Sequence, residues 1–528
     1  MTLTGESIIG FKRGARHDET FYGFNPATGE PLEPVYWAAS ADEIEKSVQL
    51  AAKAFAEYRC TSGTRRAAFL RQIAANIEAL GEPLITRATA ETALPAGRIQ
   101  MEIGRTCNQL RMFAALLDEG SWVDARIDRA NPQRTPAPKP DVRSMLRPLG
   151  VVVVFGASNF PLAFSTAGGD TASALAAGCT VLVKAHPAHP GTAELVGLAI
   201  QDAVKTCNLP EGVFSLLYGA GNQLGEMLVQ HPLVKAVGFT GSRQGGLALM
   251  RLAQARPEPI PFYAEMSSVN PVFILPGAMR ERRDQLINGL HTSVTLGAGQ
   301  FCTNPGLVFL EDDANASAFA EKLGELMKTS MPFTMLTEGI ATVYQQSVTA
   351  RASHATTLAV NRETTGTSCQ TTAALFQTEA QRFLQQAELG EEIFGPTTLL
   401  IKHSSRDELL NAARALEGQL TATIHGTEQD LAEFSDLIAI LETKAGRLVF
   451  NGFPTGVEVC PAMVHGGPFP ATSDGRSTSV GTRAIFRFTR EVCYQDFPDT
   501  ALPEELRNEN PLGIWRMIDG GLTRDAIA

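Results

Sequence analysis

The sequence predicts an α/β protein, with a parallel doubly wound unit followed by a second α/β domain. Two alternations and one break carry that prediction. From residue 148 onward, short β-branched runs alternate with helical stretches at close spacing, the pattern of a parallel sheet with helices on both faces. A second, less regular alternation fills residues 270–450. Between the amino-terminal part and the first alternation, residues 129–140 (Arg-Ala-Asn-Pro-Gln-Arg-Thr-Pro-Ala-Pro-Lys-Pro) are too rich in proline and polar groups for a core. They read as a linker or an extended arm.

Taken in order, residues 1–40 read as irregular structure and short strands, with a turn at 24–30. Residues 41–120 read as helices. Ser40 and Asp42 are caps for the first, and Ile44, Val48, Ala51, Ala52 and Phe55 share one face. Phe69, Ile73, Ile77 and Leu80 make a second apolar face. Strands are expected at 150–155, 180–184, 213–218, 234–239 and 260–265. Helices are expected between them, over 163–177, 192–207, 224–230 and 242–255. In such a sheet ligands sit at the carboxyl ends of the strands. The second unit shows strands at 272–275, 307–310, 398–401 and 448–450, with helices at 286–296, 317–328 and 409–416. The Thr- and Ala-rich stretch 350–375 is not placed. Residues 454–482 read as a Gly/Pro/Ser loop region, 485–490 as a late strand, and the end of the chain as a polar tail.

The 528 residues, 44% hydrophobic and 19% charged, are those of an ordinary globular protein of more than one domain. A net charge of -11 disfavours nucleic acid or an anionic membrane as the main partner. No apolar run approaches the ~20 residues of a membrane span, and the amino terminus lacks a basic segment followed by an apolar one. The eight cysteines are scattered, without Cys-x-x-Cys or other metal-ligand spacing. Reduced thiols, a cytoplasmic location and no metal are the expectations.

One cysteine stands apart. Leu296-Gly-Ala-Gly-Gln-Phe-Cys302-Thr-Asn-Pro-Gly306 puts Cys302 among glycines and turn residues. Glycines let backbone approach a ligand closely, and Asn-Pro-Gly is turn chemistry, so Cys302 belongs in a loop. That is where a nucleophile would be placed, although a cysteine is also an ordinary small buried hydrophobe. A dinucleotide site often shows Gly-x-Gly-x-x-Gly after its first strand, but residues 155–161 read Phe-Gly-Ala-Ser-Asn-Phe-Pro. The better phosphate candidate is Phe239-Thr-Gly241-Ser242-Arg-Gln-Gly-Gly246, between a strand and a helix. Standing alone it reads first as a tight turn with Ser242 as helix cap. Lys184, ending a strand, is a further candidate.

Together these motifs resemble the aldehyde dehydrogenase superfamily over residues 20–500. The resemblance rests on Ser158-Asn-Phe-Pro161, Val183-Lys184, Phe239-Thr-Gly-Ser242, Ala264-Glu-Met266, Gly299-Gln-Phe-Cys302 and Glu392-Ile-Phe-Gly-Pro396. It implies an aldehyde dehydrogenase-like fold of two doubly wound α/β domains plus a small β oligomerisation arm. The cofactor-binding domain would be 1–127 with 148–266, the catalytic domain 267–483, and the arm 128–147 with 484–500, leaving 501–528 as a C-terminal tail. A homodimer or homotetramer is the implied assembly. Cys302 would be the nucleophile, Glu265 the general base and Asn159 the oxyanion donor. Lys184 would meet the adenosine ribose, Gly241 and Ser242 the pyrophosphate, and Glu392 and Phe394 the nicotinamide ribose.

That chemistry needs these residue types. A thiolate attacks the aldehyde, donors hold the resulting alkoxide, hydride leaves to a nicotinamide, and a carboxylate activates water against the thioester. Two departures from the family pattern matter. The residues after the base are Met266-Ser267-Ser268 rather than Leu-Gly-Gly. The position three after the lysine is Pro187, where NAD-preferring members often carry Glu. With Lys184 and His186 nearby, this favours NADP, with NAD also accepted. Within the superfamily, residues 156–165, 169–178, 263–268 and 299–306 look most like enzymes acting on α-ketoglutaric semialdehyde (2,5-dioxovalerate). They also resemble NADP-linked long-chain fatty aldehyde dehydrogenases. Phe160, Phe164, Phe301 and Phe453 would line the tunnel for either substrate. A CoA-acylating enzyme is disfavoured by the presence of Glu265, and an inactive binding protein by the presence of Cys302, Glu265 and Asn159 together.

Overall fold

The computed structural model describes residues 2–360 and 366–527. A seven-stranded sheet runs in the order Phe262–Glu265, Val234–Thr240, Val151–Phe155, Thr180–Lys184, Phe214–Leu217, Ile8–Ile9, Lys12–Arg13. Its first five strands are parallel, and Ile8–Ile9 pairs antiparallel with Phe214–Leu217. Val151–Phe155, buried throughout, has neighbours on its two sides that follow it through opposite crossovers. This central reversal opens a crevice at the carboxyl ends of the strands. Helices Ala41–Tyr58, Gly63–Leu80, Glu82–Thr92 and Ala96–Glu119 precede this part of the chain. Phe69, Ile73, Ile77 and Phe113 from these helices are fully buried against the sheet's own helices.

A second seven-stranded sheet has the order Thr356–Val360, Ala374–Glu379, Thr397–His403, Leu307–Glu311, Val272–Ile274, Gln419–His425, Ala445–Phe450. All its pairings are parallel except that of Thr356–Val360. A five-stranded sheet pairs Val142–Pro148 with Thr489–Gln495 and with Arg126–Asp128. Arg516–Ile518 and Gly521–Thr523 extend it. Among the described residues no helix is long and apolar enough to cross a membrane.

Several elements differ from the sequence reading. The helix expected at 163–177 begins at Gly169. A Cβ on Gly168 would lie 2.6 Å from the Ala163 carbonyl oxygen, so residues 160–168 fold as tight buried turns instead. The strand expected at 485–490 is a 3-10 turn, Thr482–Phe488, and the strand follows at Thr489–Gln495. Ile485 and Phe488, three apart, share one face of that turn and both are buried. Gln419–His425 was not anticipated, because Gln, Thr and His read as polar, yet all seven of its residues are buried. The expected polar tail carries two strands, with Leu502, Leu506 and Ile514 in the core.

Candidate active site

The strand ends of the first sheet deliver most of the candidate residues. Asn159 follows Val151–Phe155, Lys184 ends its strand, Gly241 and Ser242 follow Val234–Thr240, and Glu265 ends Phe262–Glu265. Thr240 is in register with Glu265, and the Gly241 N–H donates to the Glu265 carbonyl at 3.1 Å. Ser242 caps helix Arg243–Gln254, its hydroxyl accepting from the Gly245 N–H.

The loop carrying Cys302 follows helix Pro276–Thr295 through three left-handed residues, Gly297, Ala298 and Gly299. Gly299 has φ +64°, and a Cβ there would lie 2.3 Å from the Gly395 carbonyl carbon. Only glycine fits that approach. The Asn304 amide donates to the Gly395 carbonyl at 3.1 Å, joining the loop to the stretch that carries Glu392 and Phe394. The Asn270 amide donates to the carbonyls of Cys302 and Asn304 at 2.9 and 3.0 Å. Here the Met-Ser-Ser departure finds a physical role. Ser268 Oγ lies 2.9 Å from Asn270 Oδ1 and 3.0 Å from Gln419 Oε1, and the Leu420 N–H donates to it. Ser267 hydrogen-bonds the Glu392 carboxyl.

At the centre, Cys302 Sγ lies 3.4 Å from His465 Nε2, and the same nitrogen lies 2.9 Å from Glu265 Oε1. Ser479 Oγ donates to Glu265 Oε2 at 3.0 Å. The sulfur, nitrogen and carboxylate atoms all lie within 4.8 Å of one another. Burial pushes the Cys302 thiol well above its ordinary value, as does the Glu265 carboxylate, while the Arg105 guanidinium draws it back. Burial also pushes the Glu265 carboxyl up. The charge of His465 and hydrogen bonds from His465, Ser479 and Cys302 outweigh this and hold it below the usual range. Asn159 Nδ2 donates to the Gln300 carbonyl at 3.0 Å, which leaves the second amide hydrogen for a ligand.

Phe160, Phe164 and Phe301 pack together beside the cysteine, with centroids 5.3 and 5.4 Å from Phe160, and Phe164 lies 5.9 Å from the His465 ring. Phe453 lies against His425 at 4.6 Å and lines a depression with Leu296 and Thr455. A cleft of about 740 Å³ runs between the two large sheets, lined by Arg243, Ser267, Glu392 and Gln419 among others. Phe394 lines an adjoining narrow pocket with Glu392. Lys184, His186, Gly241 and Ser242 do not line that cleft. The Lys184 ammonium has no carboxylate within ion-pairing distance among the described residues, and burial pulls it down to about 8. Burial, with the neighbouring His189 and Lys184, holds His186 well below its ordinary value. Glu392 is pushed up to about 8, again by burial. A buried cation with no carboxylate beside it, and an acid whose charge burial disfavours, suit a ligand with phosphates and ribose hydroxyls.

Sequence reasoning missed His465, Ser479 and Arg105. His465 lies 200 positions from Glu265, in a stretch read only as loop. The signal available was Val464-His-Gly-Gly467, because glycine next to a lone histidine marks close backbone packing. A Cβ on Gly467, φ +155°, would lie 2.0 Å from the Gln419 carbonyl oxygen.

Residues 13–469 match the aldehyde dehydrogenase family. The chain is 52% identical, over 98% of its length and 99% of the relative's, to alpha-ketoglutaric semialdehyde dehydrogenase 2 of Azospirillum brasilense. It is 45% identical, over 99% of both chains, to alpha-ketoglutaric semialdehyde dehydrogenase of Acinetobacter baylyi. The solved lactaldehyde dehydrogenase of Escherichia coli superposes with a TM-score of 0.80 at 20% identity, covering 93% of this chain and 98% of that one. At that identity the likeness speaks for the fold.

Proposed function

The chain belongs to the aldehyde dehydrogenase family, and on that premise we propose that it oxidises α-ketoglutaric semialdehyde to 2-oxoglutarate, preferring NADP. That it is an NAD(P)-dependent aldehyde dehydrogenase follows from the family and the two near-full-length relatives. The observation that carries the mechanism is the meeting of Cys302, His465 and Glu265 on one nitrogen.

His465 Nε2–H donates to the Glu265 carboxylate and faces the Cys302 sulfur at 3.4 Å, where it supports the thiolate that forms as the thiol proton passes to solvent and sulfur attacks the aldehyde carbon. The same hydrogen bond holds Glu265 ionised for its later work as a base. The alkoxide formed on the thiohemiacetal takes the second N–H of Asn159, held beside the loop by its bond to Gln300. A bound nicotinamide would supply the hydride acceptor, and Cys302 would keep the acyl group as a thioester. Glu265, fixed by Ser479, then takes a proton from water attacking the thioester. The Phe160, Phe164 and Phe301 rings exclude bulk water from these steps.

Lys184 and His186, with Pro187 where a carboxylate would repel a 2′-phosphate, support the NADP preference. Gly241, Ser242, Glu392 and Phe394 are the remaining proposed cofactor contacts, and Phe453 a proposed tunnel residue. The two seven-stranded sheets are proposed as the cofactor and catalytic domains, and the five-stranded sheet as the arm of a homodimer or homotetramer. The reading is tested by the rates of NADP and NAD reduction with α-ketoglutaric semialdehyde and with a long-chain aliphatic aldehyde. A much higher kcat/KM for the semialdehyde with NADP is expected. A preference for the long-chain aldehyde would replace the substrate while leaving the catalytic residues in place.

A further inference from the structure

We propose that Arg105 and Arg447 form an anion receptor for the far carboxylate of the substrate, and that this receptor makes the site prefer a carboxylate-bearing aldehyde to an uncharged one. The proposal rests on the semialdehyde reading above and supplies what that reading lacks, the group that recognises the acid end.

Arg105 sits on helix Ala96–Glu119 with its guanidinium over the rings of Phe160 and Phe164, at 5.6 and 5.2 Å. Its Nε and Nη2 are enclosed and have no hydrogen-bond partner among the described residues. Arg447 comes from the opposite side, on strand Ala445–Phe450. Its two terminal nitrogens donate to the carbonyls of Pro454 and Gly456 at 2.7 and 3.1 Å, and its Nε is enclosed without a partner. Among the described residues neither guanidinium has a carboxylate within ion-pairing distance. Both charges act on the Cys302 sulfur, and they act on each other, which places them around the same reaction centre.

A neighbour shows what a compensated arginine looks like here. Arg98, on the same helix, stacks on Phe160 and Phe301 at 4.7 and 5.3 Å. It is paired with Glu102 at 2.8 Å. Glu102 is already engaged by the N–H groups of Leu162 and Ala163. Arg105 and Arg447 therefore stand as two like charges, partly desolvated, with N–H groups at Nε of both and at Nη2 of Arg105 left without a partner among the described residues. Leaving such charges unpaired is costly, and a carboxylate with two acceptor oxygens removes the cost. The Phe160 and Phe164 rings beneath Arg105 suit the methylenes that separate aldehyde from carboxylate. A long acyl chain offers these arginines no counter-charge.

The test compares 2,5-dioxopentanoate with pentanal, an uncharged aldehyde of the same carbon count, using the full-length enzyme and NADP. In Arg105→Met the ratio of kcat/KM between the two substrates is expected to fall about 10²-fold, mainly through KM. Arg105→Lys should recover part of it, and Arg447→Gln should lower the ratio in the same direction. Competitive inhibition by 2-oxoglutarate, which carries the same far carboxylate, should weaken in parallel. The ratio is internal to each variant, so a partly destabilised protein still reports it. Equal losses on both substrates would assign Arg105 to the thiolate alone and overturn the receptor. A wild-type preference that survives in both variants would do the same. A wild-type enzyme with no preference for the charged substrate would overturn the semialdehyde reading itself.

Discussion

At the residue scale, the thiol and its neighbours decide the pH behaviour. Cys302 is pushed up by burial and by Glu265, so its thiolate fraction grows as pH rises through the alkaline range. The His465 Nε2–H beside the sulfur offsets part of that dependence by supporting the thiolate. His465→Leu is expected to slow the pre-steady-state burst of NADPH by about tenfold or more at neutral pH. Its burst rate should then climb steadily with pH, where the native rate is flatter. Glu265→Gln should keep a burst and slow the steady state, because acylation proceeds and thioester hydrolysis loses its base; an unchanged steady-state rate would remove Glu265 from that role. Since the Glu265 carboxyl is held low, native deacylation should fail only at pH below the ordinary carboxylate range. Pro187→Glu places a carboxylate three residues after Lys184 and should lower the NADP-to-NAD ratio of kcat/KM by at least about tenfold.

At the scale of elements, the nucleophile depends on a run of backbone that few residues can adopt. Gly299→Ala forces a Cβ into the Gly395 carbonyl at positive φ. A loss of about 1–3 kcal/mol in urea denaturation is expected, with a larger fall in kcat as Cys302 leaves its place beside His465. This loop was legible in the sequence because turn chemistry is local: the glycines and Asn-Pro-Gly announce themselves within eleven residues. The five parallel strands of the first sheet were legible for a similar reason, since buried strands such as Val151–Phe155 are continuous β-branched runs. Gln419–His425 escaped because burial on both faces is a tertiary fact, and its threonines and histidine carry no such mark. The contact of His465 with Glu265 escaped because nothing local to either residue refers to the other. Helix Glu338–His354, with only Ala341, Tyr344 and Arg351 buried, shows no continuous apolar stripe to read.

At the scale of the molecule, the final residues are part of the structure rather than an appendage. Arg516 is buried and donates to the carbonyls of Arg507, Asn508 and Asp525, and Arg143 donates to the Leu506 carbonyl at 2.6 Å. Deleting residues 500–528 removes Leu502, Leu506 and Ile514 from the core and bares the edge of Arg126–Asp128. At ~1.5–3 kcal/mol for each large buried side chain, the truncated enzyme should unfold at clearly lower urea. Size-exclusion chromatography should show it associating through the exposed edge. An unchanged midpoint and elution volume would show that the end of the chain is dispensable.

The five-stranded sheet also imposes an order of events on synthesis. It draws strands from residues 126–128, 142–148, 489–495 and 516–523, whereas the seven-stranded sheet that holds Glu265 is complete by residue 265. A growing chain can therefore form the first sheet while the second half is still being translated. Strands Arg126–Asp128 and Val142–Pro148 must wait, with one edge unpaired, until residues 489–523 have been made and clear the ribosome.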